Sequence, residues 1–524
     1  MMKLLRITTS QMGEQNLAAR LMHAHAYVNQ YALLTMMTMS ILSVGCDNRP
    51  NTRQIAESST PLSSDRQINS DSLKTQSKSR IESSKNTVPN AKASADMSLH
   101  ADSLGQSPTA KVNQQSILSP SQNQETTPNQ MATQAGLKEN KIESLQQSVI
   151  EHLETGDLDS AWNSIRIASR IDSDNFDTRY LKARVLAERN RFVEAVKTLD
   201  DLAIQDPSIQ LPVLGQTAEW LTFDGRWQTA ETRYRRLIQE LPEIGLAHRR
   251  LAQLLLRKGE RLEACQLFSM LCEAGNVEEL ELRHLLRVSR PFSGMESTDE
   301  SAPVGHLGKA RYHYGENDPA LALAELTNVT PKESEAFALK GRLLALSNQI
   351  KDLEQWNAQS SDEGERYSDH WFAKGIYSHH QKDYQNAIQS FCRSIVIDPT
   401  DSDAYQRLSV SLKSDRQTET AKLVAKRSLM IQETHDIAQA FSERETREPQ
   451  TVATLCQILK ELGRPVEALS WQAVAMVYNQ REMRISDEQL ATQLQDINQQ
   501  RMSLLQNGNA NATQELILCG LNLN

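Results

Sequence analysis

Aromatic residues are scarce in this chain. They make up 5% of its 524 residues, and hydrophobic residues together only 39%, below the roughly 45–50% apolar content of ordinary domains. Part of the chain therefore lies outside any packed core. Cysteine is scarce too, and six in all cannot build a dense disulfide scaffold. No uncharged apolar run approaches the roughly 18 residues of a membrane-crossing helix, which excludes a polytopic membrane protein. Basic residues are not in excess, with 57 Lys and Arg against 66 Asp and Glu and a net charge of −9. Nucleic acid, which needs a broad basic field, is a poor partner on that ground.

Catalytic signatures are also missing. His-Glu-x-x-His, Gly-x-x-x-x-Gly-Lys-Ser/Thr, Gly-x-Ser-x-Gly and Cys-x-x-Cys do not occur. We expect no enzyme, no cofactor, no metal and no small-molecule substrate. His379 lies nine residues beyond His370, about two and a half helical turns, so the two point to opposite faces. With His380 they read as exposed helix residues. Cys265 and Cys272 lie seven apart, about 10.5 Å along a helix, too far for a disulfide; with Cys392 they read as core thiols. Gly305, Gly308 and Gly315 are too widely spaced for a nucleotide loop. Glu278, Glu279 and Glu281 read as a solvated helix face.

The N-terminus sets Lys3, Arg6 and Arg20 against one acid, Glu14, before a low-charge apolar run at 31–45 and then Cys46. Basic head, short apolar run and small residue follow the order of a signal peptide. Leu42-Ser43-Val44-Gly45-Cys46 resembles the cleavage box of bacterial lipoproteins, with the leucine one place earlier than that family prefers. The resemblance implies a lipid anchor on Cys46 and a periplasm-facing place at the cell envelope. Plain export is one alternative. An unprocessed, cytoplasmic chain is another, and the long leader leaves Met12 or Met22 as the start. Residues 47–140 contain no Phe, Trp or Tyr and are rich in Ser, Thr, Asn and Gln. Such a stretch buries too little apolar surface to order itself. It reads as a disordered linker with a mean span of ~50–60 Å.

A period then emerges. Ala161, Ala195, Ala230 and Ala264 are spaced by 34, 35 and 34 residues, and twelve before each stands Val149, Ala183, Ala218 or Ala252. Four after each stands Ile165, Leu199, Tyr234 or Phe268. Leu158, Phe192 and Trp227 precede the first three alanines by three, a column that Arg261 breaks. Trp371, Gly375, Tyr384, Ala387, Phe391 and Pro399 repeat the pattern, followed by Tyr405, Leu408, Leu412 and Ala421. Weaker copies lie at Ala310, Ala322 and Leu326, at Gly341 and Leu344 (with Leu353 where alanine belongs), and at Cys456, Leu459, Gly463 and Ala468. Small residues let two antiparallel helices approach, large ones fill the gap to the next pair, and proline ends the second helix. The pattern resembles the tetratricopeptide repeat. The resemblance implies an all-α chain, a solenoid of helix-turn-helix units.

The expected organisation is a signal segment at 1–46 and a linker at 47–140. A first array of about four repeats follows at 141–290, then a loop at 291–305 and a second array at 306–434. A degenerate repeat spans 435–480, and a capping helix and tail span 481–524. The loop and the stretch 357–368 read as insertions. Leu490, Leu494, Ile497, Arg501, Leu504 and Leu505 fall on one face of the capping helix. Leu516-Ile517-Leu518-Cys519 reads as a short strand, a docked tail or the opening of a further domain.

By the family's geometry the first helix of each unit lines a concave groove. Tyr180, Arg184, Glu219, Phe223, Arg249, Gln253, Arg257, Phe372 and Ile376 stand at its positions. That mixed lining suits a peptide or helix from a protein partner. The Lys/Asn clamp with which some relatives grip a C-terminal carboxylate is absent. We expect a non-catalytic scaffold at the envelope, tethered through Cys46. Its alternatives are an accessory subunit of an enzyme system and an outer-membrane assembly or secretion lipoprotein.

Overall fold

The computed structural model describes residues 128–294, 302–443, 448–482 and 484–523. The leader, Cys46 and residues 47–127 of the expected linker lie outside the described residues. The chain divides after Gly136, and residues 137–524 form one unit. Among the described residues no strand forms. Nine antiparallel helix pairs follow one another among these residues. The first four are α1 (Pro128–Thr155) with α2 (Leu158–Ile171), α3 (Phe176–Glu188) with α4 (Phe192–Gln205), α5 (Gln210–Phe223) with α6 (Trp227–Glu240), and α7 (Gly245–Lys258) with α8 (Arg261–Ala274). A single short helix, α9 (Glu279–Leu286), comes next. Four pairs follow: α10 (Gly305–Gly315) with α11 (Pro319–Glu325), α12 (Ser334–Leu346) with α13 (Ile350–Gln359), α14 (Ser368–His380) with α15 (Tyr384–Ile397), and α16 (Ser402–Ser414) with α17 (Thr418–Glu443). The last pair is α18 (Pro449–Glu461) with α19 (Pro465–Arg481), after which come α20 (Asp487–Gln506) and the short α21 (Gln514–Ile517).

The columns of the sequence do what their chemistry requires. Ala161, Ala195, Ala230 and Ala264 are all fully buried at the helix crossings, and Ile165, Leu199, Tyr234 and Phe268 fill the gaps between pairs. Ala322, Ala387, Ala421 and Ala468 continue the column, also fully buried, and in the sixth and seventh pairs the facing helix makes room with glycine. A Cβ on Gly375 would stand 2.6 Å from the Phe391 ring, and one on Gly341 2.3 Å from the Trp356 ring. Each turn within a pair also holds one residue in the left-handed region. In the first four pairs these are Gly156, Asn190, Gly225 and Gly259, in the fifth Asn317, and in the sixth to ninth Asn348, Lys382, Arg416 and Gly463. Glycine and asparagine enter that region at low cost; Lys382 and Arg416 do so against their sterics.

Several boundaries differ from expectation. α1 begins at Pro128, inside the stretch read as linker, and α17 runs unbroken through the expected boundary at 434. The stretch 357–368 is built, with a 3-10 turn at Asp362–Arg366 and Trp371 Nε1 donating to the Glu365 carbonyl at 2.7 Å. The tail is not a strand: α21 is helical, and Leu518 is buried in the core of the later pairs. Ile497 is the buried residue of the α20 face.

The pairs do not continue as an open spiral. α10 meets α7 closely, since a Cβ on Gly308 would lie 2.2 Å from the Arg257 carbonyl oxygen, which also accepts from Val304 N at 2.7 Å. Much later in the chain, α19 packs back on α8 and α9, and α17 packs on α9. Ala438, Phe441, Val452, Leu455 and Trp471 thus share one core with the second to fourth pairs. Residues 305–481 therefore leave the fourth pair on one side and return to it on the other.

Replacing Ala230 by Trp should cost ~1–3 kcal/mol or more through overpacking of the crossing, whereas Trp at exposed Thr229 should leave the melting curve in place. Chemical denaturation of both variants checks this, and equal curves would show that the crossing is not packed as described.

Candidate functional site

Tyr180 and Arg184 lie half-buried on α3, Tyr180 against the first core. Arg184 makes no ion pair among the described residues. Phe223, at the end of α5, is 52% exposed and stacks on Phe192 with centroids 6.2 Å apart. Glu219 and Gln253 are joined by a residue the sequence reading passed over. Arg250 places Nη2 3.2 Å from Glu219 Oε1 and Nη1 3.3 Å from Gln253 Oε1. These five positions, with Arg250, form an accessible strip along the first helices of units two to four.

The other four positions are spent inside the fold. Arg249 is buried, its Nε on Glu281 Oε1 at 2.5 Å and its Nη2 on the Asn276 carbonyl at 2.7 Å. Glu281 is 4% exposed, which corrects its reading as part of a solvated face, whereas Glu278 is exposed. Arg257 lies 4.4 Å over the Trp227 ring and donates to the Ala302 carbonyl at 2.9 Å. Phe372 is fully buried beneath the Arg342 guanidinium, 4.0 Å from its ring. Ile376 is half-buried against the second core.

The inner side of the later pairs is occupied by the chain itself. Residues 287–294, read from sequence as the edge of an insertion, run without helix between α9 and α10 and are held by side chains from every direction. Arg261 donates through Nε to the Val288 carbonyl at 2.8 Å and through Nη2 to the Arg287 carbonyl at 3.1 Å. Val288 N donates to Thr400 Oγ1 at 2.9 Å, and Ser289 N to Asp398 Oδ2 at 3.1 Å. Arg311 Nη1 donates to the Ser289 carbonyl at 2.7 Å. Arg290 Nε donates to the Tyr314 carbonyl at 2.9 Å, and Gly294 N to Glu316 Oε1 at 2.8 Å. Pro291 fits against Gly315, where a Cβ would come within 2.6 Å. Phe292 is buried edge-on to His435 at 6.1 Å.

Around this segment lies a buried ionic network. Arg311 pairs with Asp369 at 2.6 Å, and Arg342 with Asp401 at 2.5 Å and Asp369 at 3.4 Å. Desolvation opposes each charge, but the paired carboxylates hold both guanidiniums above their ordinary range. Asp398 is pushed upward by burial and then by Asp401. His435, pushed down to about 3 by burial, is neutral and donates from Nε2 to the Leu286 carbonyl at 3.1 Å. His370, expected on the surface, is instead buried between Trp356 and Trp371 and pushed down to about 4.

No group of three metal-ligating side chains forms among the described residues. Cys265, Cys272 and Cys392 are buried, as their core reading requires, and burial pushes each thiol up to about 12. None is a thiolate nucleophile at neutral pH. No described helix is long and apolar enough to cross a membrane.

Glu335 is the weak point of the network. Its one ion-pair partner among the described residues, Arg311, stands 3.5 Å away and is turned to Asp369. Burial, with Glu260 and Asp369 adding and Arg311 opposing, pushes its carboxyl from 4.5 up to about 8. The folded chain keeps this proton across that window while the unfolded chain has released it, so stability falls as pH rises through it. Glu335→Gln should therefore match the parent near pH 5 and melt higher near pH 8. Calorimetry at both pH values checks this; an equal gap at both would show that Glu335 does not titrate there.

The family model described as "Tetratricopeptide repeat" matches residues 148–208 and 223–278. No curated protein sequence matches the chain. Among solved structures, a tetratricopeptide repeat protein from Parabacteroides merdae ATCC 43184 is 15% identical, with 52% of this chain and 99% of that one covered and a TM-score of 0.25. The APC/C hetero-tetramer Cut9-Hcn1 is 13% identical over 70% of this chain and 87% of that one, with a TM-score of 0.24. Residues 148–208 and 223–278 carry tetratricopeptide repeats, and the helix pairs of which they are part form an α-solenoid of that type.

Proposed function

We propose that this chain is a non-catalytic scaffold of the bacterial cell envelope that grips a partner peptide or helix along the strip from Tyr180 to Gln253. Tetratricopeptide repeats support a protein–protein interaction role. The observation that carries the placement is the contrast between the two inner faces. The later one is filled by residues 287–294, whereas the earlier one presents a half-exposed aromatic, Phe223, and an arginine, Arg184, without a charge partner. An exposed aromatic and an unspent guanidinium on one strip are the composition of a contact hot spot. An acidic residue flanked by an apolar one on the partner would satisfy both.

The envelope part of the proposal rests on the leader and on Cys46. Two acyl signals or more make such an anchor stable, and a flexible linker behind it raises the local concentration of the array near the membrane.

A photo-crosslinking residue at Phe223 should capture a discrete partner in the host, and one at exposed Ile204 on the outer helix α4 should not. Arg184→Glu should weaken the isolated complex about tenfold with an unchanged melting temperature. Equal capture at both positions would overturn the strip. Mass spectrometry of the mature N-terminus tests the anchor separately: an acylated Cys46 is the expected result, and an intact, unmodified leader would remove the envelope assignment while leaving the strip.

A further inference from the structure

A second feature lies where the end of the chain returns to the fourth pair. The turn after α8, the helix α19 and the helix α20 line a half-open pocket of about 440 Å³, within the roughly 300–1,000 Å³ typical of small-molecule sites. Val277, Leu469, Ala473, Val474, Val477 and Ile497 give it apolar walls. Four charged side chains also reach it, two acidic and two basic, and they are not equally committed.

The carboxylates are engaged. Glu278 stands 3.4 Å from Arg249 Nη1, and Glu279 accepts from the Tyr478 hydroxyl at 2.9 Å. The guanidiniums are not balanced in this way. Arg481 rests 5.7 Å from the Tyr478 ring and has no carboxylate partner among the described residues. Arg501 bonds Asn498 with one arm, while its Nε is buried with no hydrogen-bond partner. Its guanidinium lies against Gly275, where any Cβ would collide at 1.7 Å. Gly275 also holds a φ of +72°, so the space for the arginine is given by a residue free of both the side chain and the backbone penalty.

A buried N–H without an acceptor costs free energy that an arriving anion recovers. A planar carboxylate presents two oxygens to a guanidinium fork, and an unbranched apolar tail suits walls of Val, Leu, Ala and Ile. We infer that this cavity binds a single-chain aliphatic carboxylate, with Arg501 holding the head group, Arg481 screening it at the mouth, and the tail lying between α19 and α20. This site is separate from the partner strip and does not depend on it.

The test is titration calorimetry of the full chain with decanoate below its micelle concentration. Decanol serves as the probe that has the tail without the charge. Saturable one-to-one binding of decanoate, with none of decanol, is expected. Arg501→Gln should weaken it about tenfold, and Ala473→Phe, which fills the cavity, should abolish it. Because a phenylalanine on α19 also perturbs its packing, the same ligands are read as shifts in melting temperature: decanoate should raise that of the parent and not that of Arg501→Gln. Absence of saturable binding overturns the assignment. So does equal binding of decanoate and decanol, or a folded Ala473→Phe that binds like the parent. A peptide ending in a free leucine carboxylate that outcompetes decanoate would overturn it in favour of a chain terminus.

Discussion

Residues 287–294 are the piece on which the later half of the solenoid is assembled. Their backbone groups cannot be satisfied by a helix or a sheet ladder, because they belong to neither, and a buried backbone group left unpaired is expensive. The cost is met by five side chains from four separate places: Arg261 on α8, Arg311 on α10, Glu316 after α10, and Asp398 and Thr400 in the turn before α16. Removing the segment would leave Asp398, Arg311 and Arg261 buried beside empty space. The later pairs are thus wrapped around a ligand that the chain carries with it.

The wrapping explains where the ends go. A solenoid that stacked only its neighbours would leave the outer side of the fourth pair uncovered. Here α19 closes it, with Trp471 fully buried, Cys272 facing Ser470 at 3.2 Å and Arg464 Nη2 donating to the Leu285 carbonyl at 2.8 Å. The tail then returns as well, where Tyr405 donates to the Ile517 carbonyl at 2.9 Å.

Much of this fold was legible from spacing, because a repeat stacks only on its neighbours and prints the same small and large residues at every turn. The core cysteines and the α20 face followed from the same local logic. The closure did not. It runs through polar pairs at sequence separations of 109, 112 and 149 residues, and no period links Ser289 to Asp398 or Leu286 to His435. Two traces were nevertheless present. Arg261 interrupts a column of large apolar residues because it reaches out to hold 287–288. The left-handed residues form a column of their own, and Lys382 and Arg416 concealed it by not being glycine or asparagine. The site was less legible than the fold for a related reason. Arg249, Arg257 and Phe372 occupy groove positions by register, but register does not say whether a neighbouring acid or an internal segment has already claimed them.

Buried ion pairs are weak evidence of stability, since desolvation offsets most of their attraction. Their effect is instead to penalise every arrangement except one. Arg342 needs Asp401 and Asp369 together, and Arg311 needs Asp369 and the Ser289 carbonyl together; a segment with a different backbone path would strand several charges at once. The inner face of the later pairs therefore accepts its own segment and rejects others. The accessible strip of the earlier face carries no such buried network among the described residues: there Arg250 bridges Glu219 and Gln253 and is partly exposed. That difference in commitment, more than any difference in repeat sequence, divides one solenoid into a half that holds itself and a half left free to hold something else.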